Sequence, residues 1–308
     1  MMTYEWERYI GRVVSGRYTL KSFIGGGGFG GVFFADEKQA DNLLRSVAIK
    51  LFVPDHRVDT ARQLDEIKIN YLLDHPHILR SYTSGEETID SISYYYLVME
   101  VAEASLDTIL SNKQMVMNEI EELILHVASA LHYIHNQETP ITHRDIKPGN
   151  ILLKDRQWKI SDFGISRKIE KSDYINSRVM GSFLYMPPEG FKGIISPYWD
   201  VWSFGVLIQY IITGKYPYDD ELPVERYIYN IMNCDPYISD QLPCQYRNIV
   251  EGCLRKEMRE RISMKDILQI LNLECIIAPE GSTTHTGRKY IQRLHQIPSD
   301  VRRYYDRQ

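Results

Sequence analysis

His143-Arg144-Asp145-Ile146-Lys147-Pro148-Gly149-Asn150 places four side chains that carry or can take a charge within eight positions, and closes on an amide. The apolar run Ile151-Leu152-Leu153 follows at once. A polar cluster that ends against a buried strand suits a rigidly held site better than a solvated loop. Twelve residues past Asn150 comes Asp162-Phe163-Gly164, a second acid on a turn. An Asp and an Asn arriving from two loops are oxygen ligands of the kind Mg²⁺ prefers. A separate Asp and Lys nearby can orient a hydroxyl and neutralise phosphate oxygens. Each piece alone has a plainer reading: a turn beside a strand, and a turn with a phenylalanine as its hydrophobic anchor.

The chain of 308 residues is long enough for two lobes with sizeable cores, and 44% hydrophobic with 25% charged residues is an ordinary globular composition. A formal net charge of −5 gives no reason to expect broad nucleic-acid or membrane binding. The four cysteines, Cys234, Cys244, Cys253 and Cys275, lack the paired spacing of a zinc site and read as packing residues in a reducing compartment. No apolar run is long enough to cross a bilayer, and the N-terminus does not read as a signal peptide. The expectation is a cytoplasmic protein, or the soluble part of a longer chain.

Upstream, Gly25-Gly26-Gly27-Gly28-Phe29-Gly30-Gly31-Val32 sits between β-rich runs. Such a hairpin lets backbone N–H groups approach phosphates with no Cβ in the way. A lone glycine run is more often a flexible turn. Val47-Ala48-Ile49-Lys50 on a following strand supplies a cation to face those phosphates. Residues 60–73 read as a helix with Leu64, Ile67 and Tyr71 near helical period. Tyr94-Tyr95-Tyr96-Leu97-Val98-Met99-Glu100 reads as a strand. Glu121 to Asn136 reads as a long core helix, with Leu123, Ile124, Val127, Leu131 and Ile134 on one face.

Taken in order, these motifs resemble the protein kinase family over roughly residues 17 to 272. The resemblance implies an α+β, bilobal fold: a β-rich N-lobe over residues 1–101, a helical C-lobe over 102–278, and an extension or linker over 279–308. It implies ATP and Mg²⁺ (or Mn²⁺) as cofactors and a protein substrate with a Ser/Thr acceptor, Lys147 being the residue that resembles serine/threonine rather than tyrosine kinases. In that pattern Asp145 orients the substrate hydroxyl, Lys147 neutralises the γ-phosphate, and Asn150 and Asp162 hold the metal. Carboxylates in general are weak bases, so positioning outweighs proton affinity. Gly25, Gly27, Gly28, Phe29, Gly30 and Val32 cover the nucleotide, and Lys50, paired with Glu66, faces its α/β-phosphates. Met99 stands beside the adenine, the Glu100 carbonyl and Ala102 N–H read its edge, and Val32, Ala48 and Leu152 sandwich the ring. For the apolar members, core packing is an equally good account and both can hold.

The resemblance also assigns Asp200 to brace the catalytic-loop backbone, Glu189 to pair with Arg261, and Ser182 to bridge Asp145 and Lys147. Between Gly164 and Glu189, Ser166, Ser172, Tyr174, Ser177 and Ser182 form a candidate switch, with Arg62, Arg144 and Arg167 to dock a phosphate. Ser177 is the first choice for modification and Ser172 the second, by autophosphorylation through a kinase–kinase contact. Several positions depart from the family pattern. Pro187 stands in place of an Ala, Glu257-Met258 in place of Asp-Pro, and Asn70 and Ser81 in place of apolar residues behind the cleft. Either Asn70 points inward and finds a polar partner, or the helix turns Tyr71 inward and leaves Asn70 in solvent. Two rival readings stay open: a pseudokinase acting as a nucleotide-gated interaction module, and a small-molecule phosphotransferase on a related fold.

Overall fold

The computed structural model describes residues 5–27, 30–39, 42–52, 67, 69–163 and 180–277. The described residues up to Met99 supply a six-stranded antiparallel sheet: β1 (Val13–Val14), β2 (Tyr18–Gly27), β3 (Gly30–Gln39), β4 (Asn42–Phe52), β5 (Ser81–Ile89) and β6 (Ile92–Met99). The strand order is β1-β2-β3-β4-β6-β5.

Alternation along β4 decides what each face carries. Successive strand residues point to opposite faces. Val47, Ile49 and Leu51 enter an outer core with Phe33, Ala35, Tyr94, Tyr96 and Val98. Ala48 and Phe52 enter an inner core with Leu97, Met99 and the helical residue Ile67. Lys50 shares the parity of Ala48 and Phe52, so a period of two delivers it to the inner face. A 3₁₀ helix at Trp6–Tyr9 closes the outer face, with Tyr9 and Tyr94 hydroxyls 2.7 Å apart. The Trp6 indole lies where a Cβ on Gly31 would come within 2.5 Å. This N-terminal cover was not foreseen from the sequence.

The helical part follows. Ser105 caps α1 (Leu106–Asn112) through the Thr108 N–H at 3.1 Å. The long core helix, α2 (Met117–His135), begins four residues earlier than the apolar period indicates. Glu119 reaches back to the Val116 N–H at 3.2 Å and extends the first turn. All five apolar residues expected on its core face are buried. A short turn, α3 (Met180–Phe183), precedes α4 (Tyr198–Thr213), which is buried nearly all round, as a central helix must be. Then come α5 (Val224–Asn233), α6 (Cys244–Cys253) and α7 (Met264–Ile277). A small sheet of β7 (Ala104–Ser105), β8 (Ile151–Lys154) and β9 (Gln157–Ile160) lies at the junction of the two parts. The β-sheet part and the helical part together make the bilobal kinase fold. The expected extension over 279–308 lies outside the described residues.

The segment after the Ile67 helix ties the lobes together. The Ile160 N–H donates to His77 O and the Leu79 N–H to Ile160 O, each at 2.9 Å. Beside this seam the His77 and His126 rings stack at 3.9 Å, and His75 stacks on Tyr133 at 4.9 Å. Burial pushes His75 down to about 3, His77 to about 4 and His126 to about 2, with neighbouring positive charge adding to the effect. An unfolded histidine titrates near 6.5, so below that pH the unfolded chain binds more protons and stability falls. The loss runs at up to roughly 1.4 kcal/mol per pH unit for each ring, until the folded values are reached. Urea midpoints measured between pH 6.5 and 5, above most carboxylate titration, will therefore fall on acidification. A flat profile there would show the stack contributes nothing.

Candidate active site

The loop between α2 and β8 owes its shape to one buried carboxylate. Asp200, in the first turn of α4 and fully buried, accepts the His143 N–H and the Arg144 N–H, each at 2.7 Å. His135 Nε2 stands 2.8 Å from the same side chain. Arg144 takes a left-handed φ of 69°, a conformation a non-glycine residue keeps only when its surroundings enforce it. His143 is itself buried, with Nε2 2.9 Å from Ser161 O and its ring 4.8 Å from the Phe163 ring. The bracing role expected of Asp200 is what the geometry shows.

Beyond the kink, Asp145 is fixed by two neighbours. Asn150 Nδ2 donates to the Asp145 carbonyl at 2.8 Å and to its carboxylate at 2.7 Å. Lys147 Nζ reaches the same carboxylate at 2.8 Å and donates to Ser182 Oγ at 2.5 Å. Ser182 therefore meets Lys147, one side of the expected bridge, and joins α3 to the 143–150 loop.

The second acid arrives from the other side. Asp162 has a left-handed φ of 61°, and its carboxylate lies 2.7 Å from Lys50 Nζ. Burial works against the charged carboxylate, but the Lys50 ammonium overrides it and holds Asp162 below the usual range. This contact joins β4 to the β9 side of the cleft and was not foreseen. Glu66, expected to pair with Lys50, lies outside the described residues, as do Gly28, Phe29, Gly164, Arg62, Arg167, Ser166, Ser172, Tyr174 and Ser177.

The roof and walls are in place. Gly25 pairs with Val32 and Gly27 with Gly30 in the β2–β3 hairpin. Gly30 has a φ of 154°, and a Cβ there would fall 2.0 Å from Leu51 O. Val32, Ala48, Met99, Ala102 and Leu152 share one apolar cluster at the inner face. The Glu100 N–H is tied to Arg80 O at 3.0 Å and the Glu103 N–H to Leu153 O at 2.8 Å, with the Glu100 carbonyl and Ala102 N–H between these ties. The Glu100 side chain adds an unforeseen bond across the cleft's back, 2.8 Å from Lys159 Nζ.

Asn70 is 7% exposed and Tyr71 56%, so Asn70 is the inward residue and the rotated-helix alternative falls. Glu189 and Arg261 form the expected buried pair, with two parallel contacts at 2.5 and 2.8 Å.

The donor set fits a magnesium ion carried by a phosphate ligand. With Asn150 Nδ2 committed to Asp145, its amide oxygen is left as an acceptor. Among the described residues, Lys50 meets one Asp162 oxygen and none meets the other. Hard oxygen donors in so small a number suit Mg²⁺, which keeps water and phosphate ligands. Among the described residues no group of three or more His, Cys, Asp or Glu could hold a resident ion.

Comparison with known proteins agrees with this geometry. The protein kinase domain model matches residues 18–271. The chain belongs to the protein kinase family. It is 34% identical over 223 residues to serine/threonine-protein kinase PrkC of Bacillus subtilis, covering 70% of this chain and 33% of that protein. It is 33% identical over 307 residues to a probable serine/threonine-protein kinase of Streptomyces coelicolor, covering 94% of this chain and 44% of that protein. A probable serine/threonine-protein kinase, MARK-A, of Dictyostelium discoideum is 31% identical over 261 residues, covering 82% and 24%. The chain thus spans under half the length of these relatives. No described helix is long and apolar enough to cross a membrane.

Removing the brace exposes what it does. Asp200→Ala strands the buried His143 N–H, at about 1–3 kcal/mol, and the partly buried Arg144 N–H at less. Denaturant midpoints should fall accordingly, and amide exchange at His143 and Arg144 should speed up. Unchanged exchange at these two amides would mean the loop holds its own shape.

Proposed function

We propose that this kinase domain transfers the γ-phosphoryl group of ATP to serine or threonine hydroxyls of protein substrates. The observation that carries the reading is the three-way contact of Asp145, Lys147 and Asn150, facing the Lys50–Asp162 pair across one cleft. Glycines of the β2–β3 hairpin admit the phosphates, and Val32, Ala48 and Leu152 close on the base beside Met99. Lys50 leaves Asp162 for the α/β-phosphates when the nucleotide enters. Asn150 and Asp162 would hold Mg²⁺, which neutralises phosphate charge as it shifts toward the leaving group. Asp145 receives the acceptor hydroxyl and directs its oxygen at phosphorus, taking the proton as the bond forms. Lys147 balances charge on the transferred group, and Ser182 holds its ammonium in register.

The Ser182–Lys147 contact also favours a polypeptide acceptor. It makes the position of α3, which carries Ser182, a condition for transfer, which a small alcohol would not need. By the same logic one molecule can modify the 164–182 segment in another, with Ser177 and then Ser172 as the proposed acceptors. A cytoplasmic setting fits the use of ATP and the free Cys234, Cys244 and Cys253.

Incubation with Mg-ATP and a generic protein substrate, followed by mass spectrometry, tests the reading. The wild type gains phosphate on serine or threonine, and Asp145→Asn slows the reaction by about 10² or more. Equal transfer by the variant, or transfer only to small alcohols, would overturn it.

A further inference from the structure

The outer face of the six-stranded sheet carries a cavity of about 300 Å³, turned away from the nucleotide cleft. Its floor is a row across three strands: Tyr18 on β2 pairs with Glu37 on β3, which pairs with Arg45 on β4. Glu37 is 1% exposed, and a buried carboxylate must be compensated. Arg17 Nη2 lies 2.6 Å from one of its oxygens and Arg45 Nε 2.5 Å from the other. The Tyr18 phenol beside them is pushed up, by burial first and then by the Glu37 charge. Each carboxylate oxygen already faces a guanidinium, and the positive charge of Arg17 and Arg45 repels a cation from the pocket.

What remains is surplus positive charge in a fixed orientation. Counting Arg80 beside the Tyr82 ring and Glu87 at the rim, three guanidinium groups stand against two carboxylates and leave a net charge of about +1. The Arg45 guanidinium lies 3.6 Å from the Tyr82 ring centroid, and Arg80 approaches the same ring at 5.9 Å. Stacking and the Nε contact leave Nη1 and Nη2 of Arg45 as a fork with no acceptor among the described residues. Such a fork matches carboxylate or phosphate geometry. Ser15 and Thr83 also line the cavity, and a hydroxyl is a further donor that a tetrahedral anion can use. Glu87, near the rim, is held by the Ser15 N–H. Thr83 belongs to β5, the edge of the sheet, and an edge strand can take an extended chain alongside.

We propose that this pocket binds a phosphoserine or phosphothreonine side chain of a polypeptide. The anion preference rests on the geometry. The choice of bearer rests on the proposed activity, which makes such monoesters. The pocket lets the kinase domain retain a polypeptide that already carries one phosphate while the cleft works on another hydroxyl.

The test is fluorescence anisotropy with a labelled degenerate peptide bearing a central phosphoserine, its unphosphorylated twin, and inorganic phosphate as competitor. The protein is the full chain carrying Asp145→Asn, without ATP, so that nothing is modified during the measurement. The phosphopeptide binds, its twin does not, and Arg45→Gln weakens binding about tenfold or more. Should Arg45→Gln lose its cooperative melt, Thr83→Val, which keeps the Glu37 contacts, is expected to weaken binding several-fold. Equal binding of the twin peptide, binding indifferent to these substitutions, or displacement by inorganic phosphate at the peptide's own concentration range would each overturn the proposal. The wild-type transfer assay is separate. Transfer without phosphopeptide binding sinks the pocket alone, and phosphopeptide binding without transfer sinks the activity alone.

Discussion

A carboxylate with no access to water, Asp200, governs the geometry of everything that faces the cleft. A buried charge survives only when donors surround it. The donors here are the backbone N–H groups of His143 and Arg144, together with the His135 ring. Satisfying Asp200 therefore forces the loop to turn at Arg144, and that turn presents Asp145 to Lys147 and Asn150. The same loop holds β9 through His143 and Ser161, so Asp162 is located from below as well as by Lys50 from above. Chemistry at the surface of the cleft is a consequence of electrostatics in the core.

The two lobes meet through charge and backbone together. Lys50 with Asp162 and Lys159 with Glu100 span the front and back of the cleft. Between them, His77, Leu79 and Ile160 exchange main-chain hydrogen bonds, which resist sliding. The ion pairs and the backbone seam together fix the register of the two lobes.

Much of this was legible in the residues. Alternation along Val47–Phe52 separates the two faces of β4 and sends Lys50 inward. The run from His143 to Asn150 is dense enough in polar groups to mark a held loop, and Glu189 with Arg261 takes the expected form. Other features were not legible, for identifiable reasons. The cover formed by Trp6 and Tyr9 is a tertiary contact with no local period. The start of α2 at Met117 depends on a Glu119 side chain turning back, which apolar spacing does not register. The stack of His77 on His126 joins residues 49 positions apart. Asn70 was undecided because one helical step separates the inward and outward alternatives, and only packing distinguishes them.

The account stands on Lys50, Asp145, Asn150 and Asp162 surrounding one triphosphate and its ion. Calorimetric titration with a non-hydrolysable ATP analogue, with and without Mg²⁺, tests this most directly. The wild type should bind about tenfold or more tightly with Mg²⁺ present, and Asp162→Asn should lose that gain while still binding the analogue. An undiminished Mg²⁺ effect in Asp162→Asn would contradict the account.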